Sequence, residues 1–180
     1  MLDVKAPQTP AEWDEVRALM RAFVAWHRAR HQSDLALIDS YFDAAAFDAE
    51  LASLPGPYAP VLLARLDGRP AGCVALKDLG GGQCEMKRMF VDVDCQGRGV
   101  GRALATAIVD AARAAGYRAM RLDTSIRQAE AQRLYRSLGF APTSPNGALP
   151  RELQDWLVFM ALDLGAPPPS AQSGGPGGAR

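Results

Sequence analysis

Apolar residues recur at helical spacing near the start of the chain and at strand-like spacing further on. Val16, Leu19, Met20, Phe23 and Val24 share one helical face. Thr9-Pro10-Ala11-Glu12 before them supplies a capping hydroxyl, a proline at the first helical position and a first-turn acid. Together they predict a helix over residues 10–30. Ile38, Tyr41, Phe42, Phe47 and Leu51 predict one more helical region, Leu35–Leu54, stopped by Pro55-Gly56-Pro57. Val61–Leu66 and Ala71–Leu76, joined by Asp67-Gly68, read as a hairpin with a tight turn. Gly80-Gly81-Gly82 leads into an apolar strand around Glu85. The alanine-rich stretch Arg102–Ala115 then predicts a long helix closed by Gly116. A strand at Ala119–Asp123, a helix at Arg127–Leu138 and a last strand at Val158–Leu164 follow. This order predicts an α/β fold: a single domain over residues 1–164 with a mixed sheet between helices. Gly165–Arg180, rich in Pro, Gly and Ser, is expected to be a disordered tail.

Composition narrows the partners. With 180 residues, 48% of them hydrophobic, the chain can bury one sizeable core. Its formal net charge is zero, so no global field draws it to nucleic acid or to a membrane surface. Cys73, Cys84 and Cys95 are an odd number with no metal-ligand spacing; they read as packing residues suited to a reducing compartment, with no metal site. The N-terminus lacks a signal peptide's apolar region, and no apolar run is long enough for a membrane span. The expected location is the cytoplasm.

The chemistry concentrates at Gln96-Gly97-Arg98-Gly99-Val100-Gly101, which follows the apolar run Met86–Val93 and opens the long helix. A strand that turns through glycines into a helix leaves the first-turn N–H groups unpaired, and the helix dipole adds positive charge there. Such a turn can cradle a phosphate group. Arg98 and Arg102 can add charged contacts. An ordinary glycine-rich connection has the same appearance, so the turn alone does not separate the two readings. It is no P-loop, for no Lys-Ser or Lys-Thr pair follows the glycines, and its G-x-G-x-G spacing is not the dinucleotide fingerprint. The pattern that fits is Gln/Arg-x-x-Gly-x-Gly/Ala.

At this point the chain resembles the GNAT N-acetyltransferase superfamily. The resemblance runs from Cys84-Glu85-Met86-Lys87-Arg88-Met89-Phe90-Val91 through the glycine turn and its helix. It ends at Leu134-Tyr135-Arg136-Ser137-Leu138-Gly139-Phe140, which is similar to the family's Leu-Tyr-x-x-x-Gly-Phe signature. The resemblance implies a sheet whose two central parallel strands, Glu85–Val91 and Arg118–Asp123, splay apart, aided by a β-bulge near Phe90. It also implies acetyl-CoA as co-substrate. Its pyrophosphate would lie on Gln96, Gly97, Arg98, Gly99, Val100, Gly101 and Arg102, and its pantetheine arm on the backbone of Met89, Phe90 and Val91. Gln128 stands where the family usually has Asn; it keeps the amide on a longer arm.

Acetyl transfer to an amine needs a polarised carbonyl, a neutral amine and a protonated leaving thiolate. The resemblance implies a backbone N–H near Met89 for the oxyanion and Tyr135 as general acid, since a phenol holds its proton at neutral pH. A buried, amphipathic core tyrosine is the plain alternative. Glu85, eleven residues before Gln96, matches the position of a catalytic glutamate in histone-acetylating members and could take the amine's proton directly or through water. A salt bridge to Lys87 or Arg88 would equally explain it. His27 and His31, on or just after the first helix, are expected on a solvated face.

The resemblance implies that the acceptor is a primary amine, expected to belong to a small molecule and to attack directly in a ternary complex. The resemblance assigns its recognition to the N-terminal helices and the loop before the last strand, hence to Tyr41, Phe42, Tyr58 and Ser144–Trp156. A protein N-terminal or lysine acetyltransferase and a non-catalytic acyl-CoA-binding domain are the rival readings. Relatives often dimerise, so a homodimer is a further expectation by analogy.

Overall fold

A computed structural model describes residues 1–165; the expected tail therefore lies, beyond Gly165, outside the described residues. The elements in chain order are β1 (Leu2–Lys5), α1 (Pro10–Arg30), α2 (Leu35–Tyr41), α3 (Ala44–Ser53), β2 (Tyr58–Leu66), β3 (Arg69–Gly80), β4 (Gln83–Val91), α4 (Val100–Ala114), β5 (Ala119–Ser125), α5 (Ala129–Ser137), β6 (Ala141–Pro142), α6 (Arg151–Trp156) and β7 (Leu157–Asp163). They form one seven-stranded sheet, ordered β1-β2-β3-β4-β5-β7-β6. Every pairing is antiparallel except β4 with β5.

Strand alternation explains why both sheet faces are covered. Val61, Leu63, Cys73 and Ala75 face one way, into a core with Val16, Met20, Ile38 and Leu51 of α1–α3. Leu62, Ala64, Val74 and Leu76 face the other way, against Leu104 and Ile108 of α4. Successive side chains on a strand point to opposite faces, so each central strand feeds two cores. Cys73 and Cys84 are buried free thiols within these cores. Among the described residues, no helix is long and apolar enough to cross a membrane.

The start of α1 is as expected: the Thr9 hydroxyl accepts from the Glu12 N–H at 3.2 Å, and Glu12 accepts from the Thr9 N–H at 3.0 Å. The region Leu35–Leu54 is instead two helices. Phe42 leaves the helical region, and the Asp43 carboxylate caps α3 by accepting from the Ala46 N–H at 2.9 Å. The hairpin turn has positive φ at both Asp67 (52°) and Gly68 (81°), as a type I′ turn requires. The edge strand β1, the short β6 and α6 had no sequence signal strong enough to predict them.

Two irregularities position the site. The parallel ladder between β4 and β5 joins only Gln83–Glu85 to Ala119–Arg121; beyond that rung the two strands no longer pair with each other. Between β3 and β4 the register shifts: Cys73 faces Phe90 while Ala75 faces Lys87. One extra residue on β4 makes this a β-bulge, and Arg88 within it adopts φ 55°. The bulge sends the Arg88 guanidinium inward onto Glu50, at 2.7 and 2.5 Å. Opposite Val91, just past the bulge, Gly72 leaves no room for a side chain, since a Cβ there would lie 2.5 Å from the Phe90 carbonyl oxygen.

Candidate active site

Where β4 and β5 part, a cleft of about 480 Å³ opens. One wall is the turn Gln96–Gly101. Gly97 and Gly99 have φ of 73° and 84°, and Gly99 precedes α4 without any side-chain cap. The first-turn N–H groups of α4 therefore have no intrahelical partner and meet the cleft as a ready anion site. The Gln96 amide steadies the turn by donating to the Val91 carbonyl at 3.3 Å. A Cβ on Gly101 would make ordinary contacts, 3.5 Å from Leu134 and from Val91, so this position borders the cleft closely.

The predicted cofactor residues fall into two groups. Met89, Phe90, Val91, Gln96, Gly97, Gly99, Gly101, Arg102 and Gln128 all line the cleft. Arg102 also donates to the Ser137 hydroxyl at 2.9 Å. Arg98 turns away instead and pairs with Asp67 at 3.2 Å on the hairpin turn. The Val100 side chain is in the core, which leaves only its backbone for the turn.

Tyr135 lies on α5 at the junction of this cleft with an adjoining cavity of about 50 Å³. It is 5% exposed and packs on Phe140 with ring centroids 5.9 Å apart. Burial, with the nearby charge of Asp123, holds its phenol above the usual range, so it stays protonated. Met89 and Gln128 border the same junction. The Gln128 side-chain oxygen accepts from the Thr124 hydroxyl at 2.5 Å.

Glu85 is not in that cavity. It stands on the last paired rung and lines a neighbouring cavity of about 200 Å³, with Tyr41, Asn146 and Leu149 from the segments expected to meet the acceptor. Its carboxylate lies 3.5 Å from Lys87 Nζ, whereas Arg88 pairs with Glu50. Tyr58 is buried elsewhere, within the helix-side core.

Between the two cavities stands a cluster that the sequence did not single out. Lys87 Nζ donates to Tyr41 Oη at 2.9 Å and to Asp123 Oδ2 at 3.3 Å, and Tyr41 donates to Asp123 Oδ1 at 2.5 Å. Side chains thus bridge β4 and β5 two residues beyond the last backbone rung. Burial works against the Lys87 charge, but Tyr41, Asp123 and Glu85 outweigh it and raise its pKa. Burial likewise raises the Tyr41 phenol. Asp123 lines both cavities, and so is the carboxylate that shares the smaller of them with Tyr135. Lys87 and Asp123, each two residues past a partner of the last rung on the two central strands, were the available signal.

His27 corrects the expectation of a solvated face. It is 2% exposed, packed among Phe23, Trp26, Phe42 and Trp156, and its Nδ1 has no hydrogen-bond partner. Burial depresses its pKa to about 4, so the ring is neutral near pH 7. Its spacing after Val16, Met20 and Phe23 continues the buried stripe. His31 is half-buried, with Nε2 also enclosed and unpartnered. Close by, the buried Asp34 accepts from Arg127 at 2.9 Å and from the Trp156 indole at 3.0 Å. This junction ties the α1–α2 connection to the β5–α5 loop.

A family model described as Acetyltransferase (GNAT) family matches residues 16–140. A protein named IAA acetyltransferase from Azospirillum brasilense is 43% identical over 99 residues, 54% of this chain and 65% of that protein's length. An uncharacterised N-acetyltransferase of Schizosaccharomyces pombe is 40% identical over 125 residues, 65% of this chain and 74% of its own. Among solved structures, the ribosomal-protein-S18-alanine N-acetyltransferase of Escherichia coli superposes with a TM-score of 0.64 at 18% identity, over 94% of this chain and 98% of that one. The PaiA N-acetyltransferase of Thermoplasma acidophilum, in complex with coenzyme A, has a TM-score of 0.66 at 14% identity, over 91% of this chain and 99% of that one. At such identities these two likenesses are of fold.

Proposed function

This chain belongs to the GNAT acetyltransferase family, and from that premise we propose that it moves an acetyl group from acetyl-CoA to the primary amine of a small molecule, by direct attack in a ternary complex. The observation that carries the reading is continuity. The uncapped end of α4 opens into a cleft that runs past Met89 to Tyr135, and so into the cavity beside Asp123.

The residues present fit the co-substrate. Orphan N–H groups on α4 and the Arg102 guanidinium suit its phosphates, and unpaired strand edges at Met89–Val91 suit an amide-bearing arm. When bound, acetyl-CoA supplies the thioester carbonyl. The chain's own groups do the rest. A backbone N–H at Met89 stabilises the developing oxyanion. Tyr135, kept protonated by burial, holds the proton for the departing sulfur. The amine's proton goes to the carboxylates around Lys87; Asp123 is the better placed of these, with Glu85 one cavity away. The acceptor cavity, about 200 Å³, is a little larger than the roughly 150 Å³ that holds a benzene ring, which favours a compact amine over a peptide. Free thiols at Cys73, Cys84 and Cys95 support a cytoplasmic location.

The test follows thiol release from acetyl-CoA over a panel of small amines and short peptides. We expect release above hydrolysis with a small amine, and none from a folded Gly101→Glu variant, whose side chain would fill the cleft with negative charge. Response to peptides alone would move the acceptor to proteins. Full acetyl-CoA binding by Gly101→Glu would sink the cleft assignment.

A further inference from the structure

Part of the cleft's wall comes from α1, and among the described residues it bears an arginine with no ion-pair partner. Trp26 and Arg30, four residues apart near the end of the helix, both line the cleft that holds Gln96–Gly101 and Arg102. The Arg30 guanidinium stacks over the Trp26 ring, 5.4 Å from its centroid. Its neighbours Arg28 and Arg127 pair with Asp39 and Asp34, whereas Arg30 pairs with no carboxylate among the described residues. The one acid lining this cleft, Glu130, lies 3.8 Å from Arg133. A cation at a helix C-terminus complements the dipole wherever it points. The dipole does not explain why this one lies over an indole on the cleft side.

The turn itself is short of charge. Arg98, the arginine within it, is diverted to Asp67, leaving Arg102 in the first turn of α4 as its cation on the cleft. Trp26 continues an apolar wall, its ring 6.4 Å from Phe90, which in turn lies 5.4 Å from Phe23. An indole face fixes a guanidinium and leaves its N–H edge free for an anion.

Building on the acetyl-CoA reading above, we infer that Arg30 supplies the second guanidinium of the phosphate site, with Trp26 as the platform that aims it, so that α1 clamps the co-substrate against α4. The end of α1 is then part of the cofactor site, and acceptor selection falls to α2, α6 and the cavity beside Glu85.

Isothermal titration of the full chain with acetyl-CoA, at low and high salt, tests this directly and needs no acceptor. Arg30 is exposed, so its variants should fold. Arg30→Gln should weaken acetyl-CoA binding by about tenfold, the effect of losing a charged hydrogen bond. Arg30→Lys should keep part of the affinity, and the gap to wild type should narrow as salt rises. Trp26→Ala should weaken binding in the same direction. Affinity within twofold of wild type for Arg30→Gln, or equal and salt-independent losses for both Arg30 variants, would overturn the clamp and leave acetyl transfer standing. A wild type that does not bind acetyl-CoA would overturn both.

Discussion

Tyr135 and Tyr41 are both phenols whose protons burial holds in place, yet their neighbours give them different tasks. Tyr41 commits its proton to Asp123 and accepts from Lys87, so it serves the clasp between the strands. Tyr135 has no such bond and faces the open junction. Tyr135→Phe should therefore lower kcat by roughly 10²-fold, a usual share for one acid–base group, while titration shows unchanged acetyl-CoA affinity. In pH–rate profiles Asp123→Asn should lose more turnover than Glu85→Gln; the reverse order would return the proton to Glu85. His27 makes a separate prediction. Its pKa falls from 6.5 to about 4 on folding, so between those values the unfolded chain binds the extra proton. Its share of stability is full above pH 6.5 and is lost as pH falls towards 4. His27→Phe should lessen the drop in melting temperature between pH 7 and pH 5, as read by calorimetry at each pH. An unchanged slope would assign that drop to other groups.

At the scale of elements, the bulge in β4 does most to shape the site. It turns Arg88 inward to Glu50 and frees Met89–Val91 from a regular course beside β5. On β3, Gly72 leaves the space that the Phe90 carbonyl occupies. Gly72→Ala sets a Cβ against the Phe90 carbonyl and 2.9 Å from Leu104, and should cost about 1–3 kcal/mol as overpacking does. Because relief requires Phe90 and Val91 to move, acetyl-CoA affinity should fall along with the melting temperature. Lost stability with unchanged affinity would show that the strand edge at Phe90–Val91 is not what holds the arm. The family resemblance implied a bulge near Phe90, and the residue at positive φ within it is Arg88. Nothing local marks it, since a non-glycine residue at positive φ is held there by its distant partner, Glu50.

Across the whole molecule, the described residues form a seven-stranded sheet that reaches Asp163. Its last rung joins Ala119 to Asp163, and the N–H of the buried Leu164 bonds the Arg118 carbonyl at 2.8 Å. We therefore propose the domain boundary at residue 164. A chain truncated after Gly165 should keep wild-type melting temperature and turnover; a fall in either would give residues 166–180 a structural or oligomeric role. The sequence alone determined what depends on neighbours a few residues apart: the capped start of α1, the Asp67-Gly68 turn, the glycine turn before α4, and the Tyr135 motif. Periodicity, capping and turn chemistry are local, so they are legible without the fold. Tertiary structure alone decided which side chains meet over long separations. It joined Lys87 to Tyr41 and Asp123, drew Arg98 to Asp67, buried His27 under α6, and brought Arg30 to the cleft. Those contacts follow from how far the two central strands part and how helices pack across them, and no spacing along the chain encodes that.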